Sequence, residues 1–281
     1  FQNPWSEVNL ELLKGRSVQL VRRQSGGGCV YHDEGNLNYS FIEGTRELQK
    51  SDNHGIIIKT LAEFGIHSFS TDRSDLVIKQ GDENYKISGS AFKQKKDASF
   101  HHGTLLVNAD LKNLNGILHT QHEILESKSI SSVRSKVINL NEASDNISMD
   151  KLVTTLFDQF EKNYELKAKI ITQPKKYLQD EYLNQLKSWN WIYAETPKFK
   201  IQLEAEVGVQ IILEIKKAVI LKLEIINADF NPHLIQYVKA ELLGESIHSD
   251  NIVQKFKSFK AEYPDEVKPF GVIEKSLLSL I

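Results

Sequence analysis

The residues best suited to chemistry form one run, Arg22-Arg23-Gln24-Ser25-Gly26-Gly27-Gly28-Cys29-Val30-Tyr31-His32-Asp33. Three consecutive glycines let backbone N–H groups approach an anion with no Cβ in the way. The arginines add fixed charge in a planar geometry that matches phosphate or carboxylate. Anion binding is the natural chemistry of such a run; the plainer alternative is a mobile turn with solvated arginines. The spacing fits neither the G-x-x-x-x-G-K-[ST] loop nor the G-x-G-x-x-G fingerprint. A second segment, Lys86-Ile87-Ser88-Gly89-Ser90-Ala91, leads from an ammonium into small residues. Small side chains leave room for a ligand, and a lysine there would hold a phosphate or an acyl carbonyl; otherwise it is a surface lysine on a hairpin. His101 and His102 are adjacent, so on a strand they point to opposite faces and cannot share one metal. One buried, hydrogen-bonded histidine is the expectation there.

These groups need a framework. Strands are expected at Arg16–Arg23, Cys29–His32 and Leu37–Ile42, around the glycine loop. A helix is expected over Gly55–Gly65, closed by its C-terminal glycine. Asp75–Gln80 and Tyr85–Gly89 read as a hairpin turning at Gly81-Asp82-Glu83-Asn84, and His102–Ala109 as a further strand. Met149–Tyr164 has the period of an amphipathic helix with Leu152, Leu156, Phe157 and Phe160 on one face. After Pro197, Phe199, Ile201, Leu203, Ala205 and Val207 share one parity, the mark of a half-buried strand. Lys216-Lys217 marks a turn, Ala218–Ile226 a second strand, and two helices follow, from Asn231-Pro232 to about Leu243 and over Asp250–Tyr263. The whole is α+β, with a boundary near Thr196-Pro197.

Composition limits the function. The 35 Lys and Arg against 37 Asp and Glu leave a net charge of −2, without the basic field of a nucleic-acid binder. Cys29 is the one cysteine, so neither a disulfide within the chain nor a cysteine zinc cluster can form, and a reducing compartment is the default. The longest apolar stretches, Val207–Ile215 and Ala218–Ile226, are too short to span a membrane. The chain starts at Phe1 with no secretory signal, as a processed chain or fragment would.

Four segments, in order, resemble the lipoate–protein ligase A family: Arg22–Ser40, Lys86–Ala91, Phe100–Asp110 and Ser132–Leu140. Trp189–Phe199 resembles that family's entry into its accessory domain. The resemblance implies a biotin/lipoate-ligase-like α+β catalytic core with a mixed β-sheet over 1–197, and a small α+β accessory domain over 198–281. It implies that lipoate and ATP, with Mg2+, form lipoyl-AMP, and that a lysine of a lipoyl domain then takes the lipoyl group. The acceptors implied are lipoyl domains of 2-oxo acid dehydrogenase acyltransferase subunits and the glycine cleavage H protein, in the cytoplasm or the mitochondrial matrix. By position, Lys86 matches the lysine shared by ATP and the lipoyl carboxyl. Arg23 and the loop Gly26, Gly27, Gly28, Cys29, Val30 and Tyr31 match nucleotide-binding positions, with Ser25, His32, Asp75, Ser88 and His102 as further candidates. Family members carry several tens of residues before the Gln-Asn-Pro-Trp segment, which implies a separate chain supplying them or a truncated form. Two other functions are compatible with the residues: an ATP-independent lipoyl or octanoyl transferase using Cys29, and a non-catalytic lipoyl-domain binder.

Overall fold

The computed structural model describes residues 2–44, 49–120, 122–129, 132, 135–171, 179–226 and 229–280; Val133, Arg134 and the side chain of Val207 lie outside the described residues. The chain forms two compact units. One comprises Phe1–Arg22, Gly116–Ser132 and Gln179–Ile281, the other Arg23–Asn115 and Val133–Leu178. Every candidate site residue named above except Arg22 falls in the second.

Two short helices open the chain, α1 (Pro4–Glu7) and α2 (Leu10–Gly15), each started by an asparagine that accepts a backbone N–H. Then come β1 (Asn36–Glu43), α3 (Lys50–Ala62), β2 (Ser68–Ser70), β3 (Leu76–Gln80), β4 (Glu83–Ser88), β5 (Ser90–Gln94), β6 (Ser99–Leu106) and α4 (Leu111–Ile117). After β7 (Glu123–Ser127) come α5 (Leu140–Ala143), α6 (Met149–Tyr164) and α7 (Asp180–Lys187). A π-helical turn at Asn190–Ala194 leads to β8 (Phe199–Glu204), β9 (Gln210–Lys216) and β10 (Val219–Ile226). The chain ends with α8 (Pro232–Leu242), α9 (Ser249–Glu262) and α10 (Val267–Leu278). Among the described residues no helix is long and apolar enough to cross a membrane.

Among the described residues the second unit holds two antiparallel sheets, β1-β6-β5 and β2-β3-β4. Only Gly89 separates β4 from β5, so the two sheets meet there. A parallel bridge from Lys86 to Val137 adds a further strand-like segment beside β4. The core lies between α3 and α6 and the strands, with Ile57, Leu61, Leu76, Ile87, Leu105 and Leu152 fully buried. On α6 the buried face is narrower than the period suggests: Leu152 is buried, but Phe157 is 45% exposed.

The first unit carries the antiparallel sheet β10-β9-β8-β7. The parity after Pro197 holds for Phe199, Ile201 and Leu203, all buried. The single long strand expected there is two: Gly208, at φ +74, breaks it into β8 and β9. A third helix, α10, follows the expected pair. Trp5 stacks on Phe199 with ring centroids 5.0 Å apart and donates its indole N–H to the Leu280 carbonyl at 2.6 Å, tying chain start to chain end.

Two expected strands are absent. Arg16 caps α2, and neither the run to Arg23 nor Cys29–His32 is strand. β-branched residues favour a strand only when a partner edge is available; here the carbonyls of Gly26 and Gly28, between the two segments, are taken by the Arg23 guanidinium instead. The helix expected from Gly55 begins at Lys50, and Gly65, at φ +75, follows its end. The β3–β4 turn is two residues, Gly81-Asp82, since Gln80 pairs with Glu83. The strand expected over His102–Ala109 spans Ser99–Leu106.

One close approach makes a prediction. A Cβ on Gly103 would lie 2.3 Å from the Tyr39 hydroxyl oxygen, and Tyr39 is itself fixed in the core. Gly103→Ala should cost about 1–3 kcal/mol, read as a lower denaturant midpoint. Gly44→Ala, with nothing among the described residues within 4 Å, should change little.

Candidate active site

The glycine loop is held by its own arginine. Arg23 Nε donates to Ser25 Oγ at 3.0 Å, and Nη2 donates to the carbonyls of Gly26 at 2.6 Å and Gly28 at 2.8 Å. Gly27 sits at φ +88, and a Cβ there would come within 3.0 Å of the Arg23 guanidinium. A glycine is therefore required for both backbone and clearance. Arg22, which the sequence treats as its equal, serves structure. It is buried, with Nε and Nη2 on the Ile192 carbonyl, Nη1 on the Gln2 carbonyl and Nη2 also on Thr196 Oγ1.

A directional chain continues from Arg23. Ser25 Oγ accepts from the guanidinium, so its hydrogen is available to His102 Nε2, 2.6 Å away. That requires a neutral imidazole at His102. Burial and then the Arg23 charge hold its pKa below the usual histidine value. His32 is lowered for the same two reasons, and Asn38 Nδ2 reaches its Nδ1 at 3.0 Å. The loop therefore carries a cation flanked by two neutral imidazoles. Tyr31 is raised by burial and by Asp33 and Asp110. Val30 is exposed and Cys29 half-buried.

Lys86 stands on β4 with its backbone bonded on both sides. It pairs with Val77 of β3, donates its N–H to the Lys136 carbonyl at 2.8 Å, and accepts from Ile138 N–H at 3.2 Å. Its ammonium lies 2.7 Å from Asp75 Oδ1. A Cβ on Gly89 would come within 3.2 Å of that nitrogen, so the missing side chain leaves the lysine room to lie over the strand junction. Ser88 belongs to the interior: it is 1% exposed, with its hydroxyl 3.4 Å from that of Tyr39.

On β6 the adjacent histidines face opposite sides, as alternation requires: His101 is fully buried and His102 half-buried. The expected hydrogen bond falls to His102, however; neither ring nitrogen of His101 has a partner within the described residues. No group of three or more metal-ligating side chains occurs among the described residues.

The sequence reading missed a cavity of about 730 Å³ beside the loop, lined by Tyr31, Asp33, Asn108, Asp110, Asn141 and Ser148 among others. Asp33 organises it. Its carboxylate accepts from Gly35 N–H at 2.9 Å and Asp110 N–H at 2.8 Å. The signal was present as Asp33-Glu34-Gly35, an Asp two residues ahead of a glycine, the pattern of an Asx turn. A Cβ on Gly35 would sit 2.0 Å from the Asn108 carbonyl oxygen, so the backbones meet directly.

Loop, lysine and cavity fall in one compact unit. The model of the lipoyl protein ligase A/B catalytic domain matches residues 1–161. Lipoate-protein ligase A of Bdellovibrio bacteriovorus is 34% identical over 272 residues, covering 94% of this chain and 80% of that protein. The crystal structure of P. falciparum LipL1 in complex with lipoate matches with a TM-score of 0.58 and 31% identity, over 96% of this chain and 82% of the other. The bi-partite lipoate protein ligase of Thermoplasma acidophilum shares the fold, with a TM-score of 0.56 and 23% identity over 68% of this chain and 77% of its own. The chain belongs to the lipoyl protein ligase A/B family.

His101 generates a pH prediction. Burial, then its histidine neighbours His54 and His102 and then Lys50, push its pKa down to about 4. Between the unfolded value near 6.5 and that folded value, the unfolded chain binds more protons. Stability is therefore complete above about pH 6.5 and lost as pH falls toward 4, by roughly 3 kcal/mol at most from this residue. His32, His54 and His102 act in the same direction. His101→Leu should flatten the fall in melting temperature between pH 6.5 and 4; an unchanged slope would show that His101 takes up its proton freely in the folded state.

Proposed function

We propose that this chain is an ATP-dependent lipoate–protein ligase: it activates lipoate to lipoyl-AMP and transfers the lipoyl group to a lysine of a lipoyl domain. The observation that carries the reading is its kinship with lipoate-protein ligase A over 94% of its length. The lipoate held by LipL1 supports the same substrate. Residues 1–197 form the catalytic part in this reading and 198–281 the accessory domain.

In the first step a lipoate carboxylate oxygen attacks the α-phosphorus of ATP, and the bond to the pyrophosphate oxygen breaks. In the second, the acceptor lysine's amine attacks the acyl carbon, loses a proton, and AMP leaves with the bonding electrons. Negative charge gathers first on the α-phosphoryl oxygens and then on the acyl carbonyl oxygen. We assign Lys86 to both. Its ammonium is compact, and its backbone is held between β3 and the Lys136–Ile138 segment, so the charge is preorganised where it is needed. Arg23 and the backbone N–H groups of Gly28, Cys29, Val30 and Tyr31 are assigned to the nucleotide phosphates. Asp75 holds Lys86 until substrate carboxylate and phosphate arrive to share it. With Asp75 engaged by Lys86 and no metal-ligand cluster among the described residues, Mg2+ fits this chain best as an ion carried by the ATP phosphates themselves. The acceptors we assign are lipoyl domains of 2-oxo acid dehydrogenase acyltransferases and the glycine cleavage H protein. The compartment we assign is a reducing one, cytoplasm or mitochondrial matrix, in keeping with the single cysteine.

Two substitutions test the reading. Lys86→Ala and Lys86→Arg should each lose more than tenfold in lipoate-dependent pyrophosphate release, about 1.4 kcal/mol or more, with a melting temperature close to wild type. A normally folded Lys86→Ala protein that still adenylates within about threefold would remove Lys86 from the chemistry. Cys29→Ala should keep most activity, because the loop contributes its backbone there. A loss on the order of 1,000-fold in transfer would instead favour a thiol nucleophile and an ATP-independent transferase.

A further inference from the structure

Behind the Asp75–Lys86 pair lies a polar relay that the reaction above does not use. His54, on α3, is 4% exposed. Its Nδ1 is 3.0 Å from Ser70 Oγ on β2, and its Nε2 is 3.4 Å from Ser90 Oγ at the start of β5. Ser90 Oγ donates to the Ser74 carbonyl at 2.7 Å. A hydroxyl has one hydrogen, so with that hydrogen committed Ser90 can only accept from His54, whose Nε2 carries the proton. Nδ1 is then bare and accepts from Ser70. Both ring nitrogens then have a partner, with the Thr71 carbonyl, 3.4 Å from Ser70 Oγ, the longer alternative for the Ser70 hydrogen. Burial keeps the ring neutral, against Asp75, whose charge favours protonation.

The far end of the relay is a strained turn. Ser74 is left-handed at φ +62, a conformation that costs a residue with a Cβ and persists only when its surroundings hold it. The turn is closed by Thr71 N–H to the Asp75 carbonyl at 2.9 Å and Ser74 N–H to the Thr71 carbonyl at 2.9 Å. The next side chain along is Asp75, 2.7 Å from Lys86 Nζ. The Ser90 hydroxyl on the Ser74 carbonyl is thus a tether from the sheet junction to that turn.

We infer that His54 is a positioning residue: through Ser90 it fixes the Ser74 carbonyl, and with it the left-handed turn that presents the Asp75 carboxylate to Lys86. The catalytic consequence rests on the reading of Lys86 given above; the geometric one does not.

The experiment uses the full chain with His54→Leu, His54→Gln, Ser90→Ala and the Leu/Ala double variant. One measurement is kinetic: kcat for lipoate-dependent pyrophosphate release and KM for lipoate. The other is independent of activity: labelling of Lys86 by acetic anhydride, quantified by mass spectrometry against exposed Lys95. His54→Leu and Ser90→Ala should each lower kcat by about tenfold with KM nearly constant, as loss of alignment does. The double variant should be no worse than the more severe single one, because both remove one tether. Lys86 should label severalfold faster in these variants, since Asp75 no longer covers it. His54→Gln, which keeps an N–H near Nε2, should recover most of kcat and of the protection. Should His54→Leu fail to fold, Ser90→Ala carries the same test. Unchanged Lys86 labelling with only a lower melting temperature would overturn the inference and leave His54 a core residue. Faster labelling in a protein whose Lys86→Ala variant remains active would uphold the positioning while overturning the catalytic assignment of Lys86.

Discussion

The unit that holds the glycine loop is organised around one pair of opposite charges, Lys86 and Asp75, held 2.7 Å apart with less than a quarter of either side chain exposed. Taking both charges partly out of water is costly unless geometry and further hydrogen bonds compensate. The fold supplies both. Lys86 is anchored on a strand with neighbours on each side, and Asp75 follows a turn whose conformation is fixed by four backbone or hydroxyl contacts. A lysine on a free hairpin would carry the same charge but would have to order its long side chain to hold any partner.

Close backbone approach is the second theme. Gly103 admits the Tyr39 ring, Gly89 admits the Lys86 side chain, Gly35 meets the Asn108 carbonyl, and Gly27 clears the Arg23 guanidinium. Each glycine removes a Cβ that would push a functional or core group away. Together they let the loop, the strand junction and the cavity be built within one small unit. Arg23 closes this arrangement from inside the loop: by binding the Gly26 and Gly28 carbonyls it orders a segment that has no strand partner. The electrostatics follow from the same packing. Burial beside the Arg23 cation keeps His32 and His102 neutral, so the positive charge of this face is carried by groups that do not titrate near neutrality.

Much was legible in the chain itself. The triple glycine with its arginines, the Lys86-Ile87-Ser88-Gly89 run, the period of Met149–Tyr164 and the alternation at Phe199, Ile201 and Leu203 are local patterns, and local patterns report local chemistry and burial. Opposite faces for His101 and His102 followed from strand geometry alone. The family resemblance rested on the same segments. What the chain could not show was which of two similar residues is used where. Arg22 and Arg23 are identical neighbours, yet one is buried on the Ile192 and Thr196 oxygens and the other clamps the loop. Ser88 and Ser90 flank one glycine, yet one closes on Tyr39 in the core and the other tethers a turn. Likewise the two strands expected beside the glycine loop failed because strand formation needs a partner edge, which propensity cannot reveal, and β7 joined β8 across more than seventy residues of sequence. Residue type and spacing determined the chemistry available to this protein. Tertiary structure decided where each copy of a residue sits and what it touches, because burial, partner and backbone conformation depend on segments far apart in the chain.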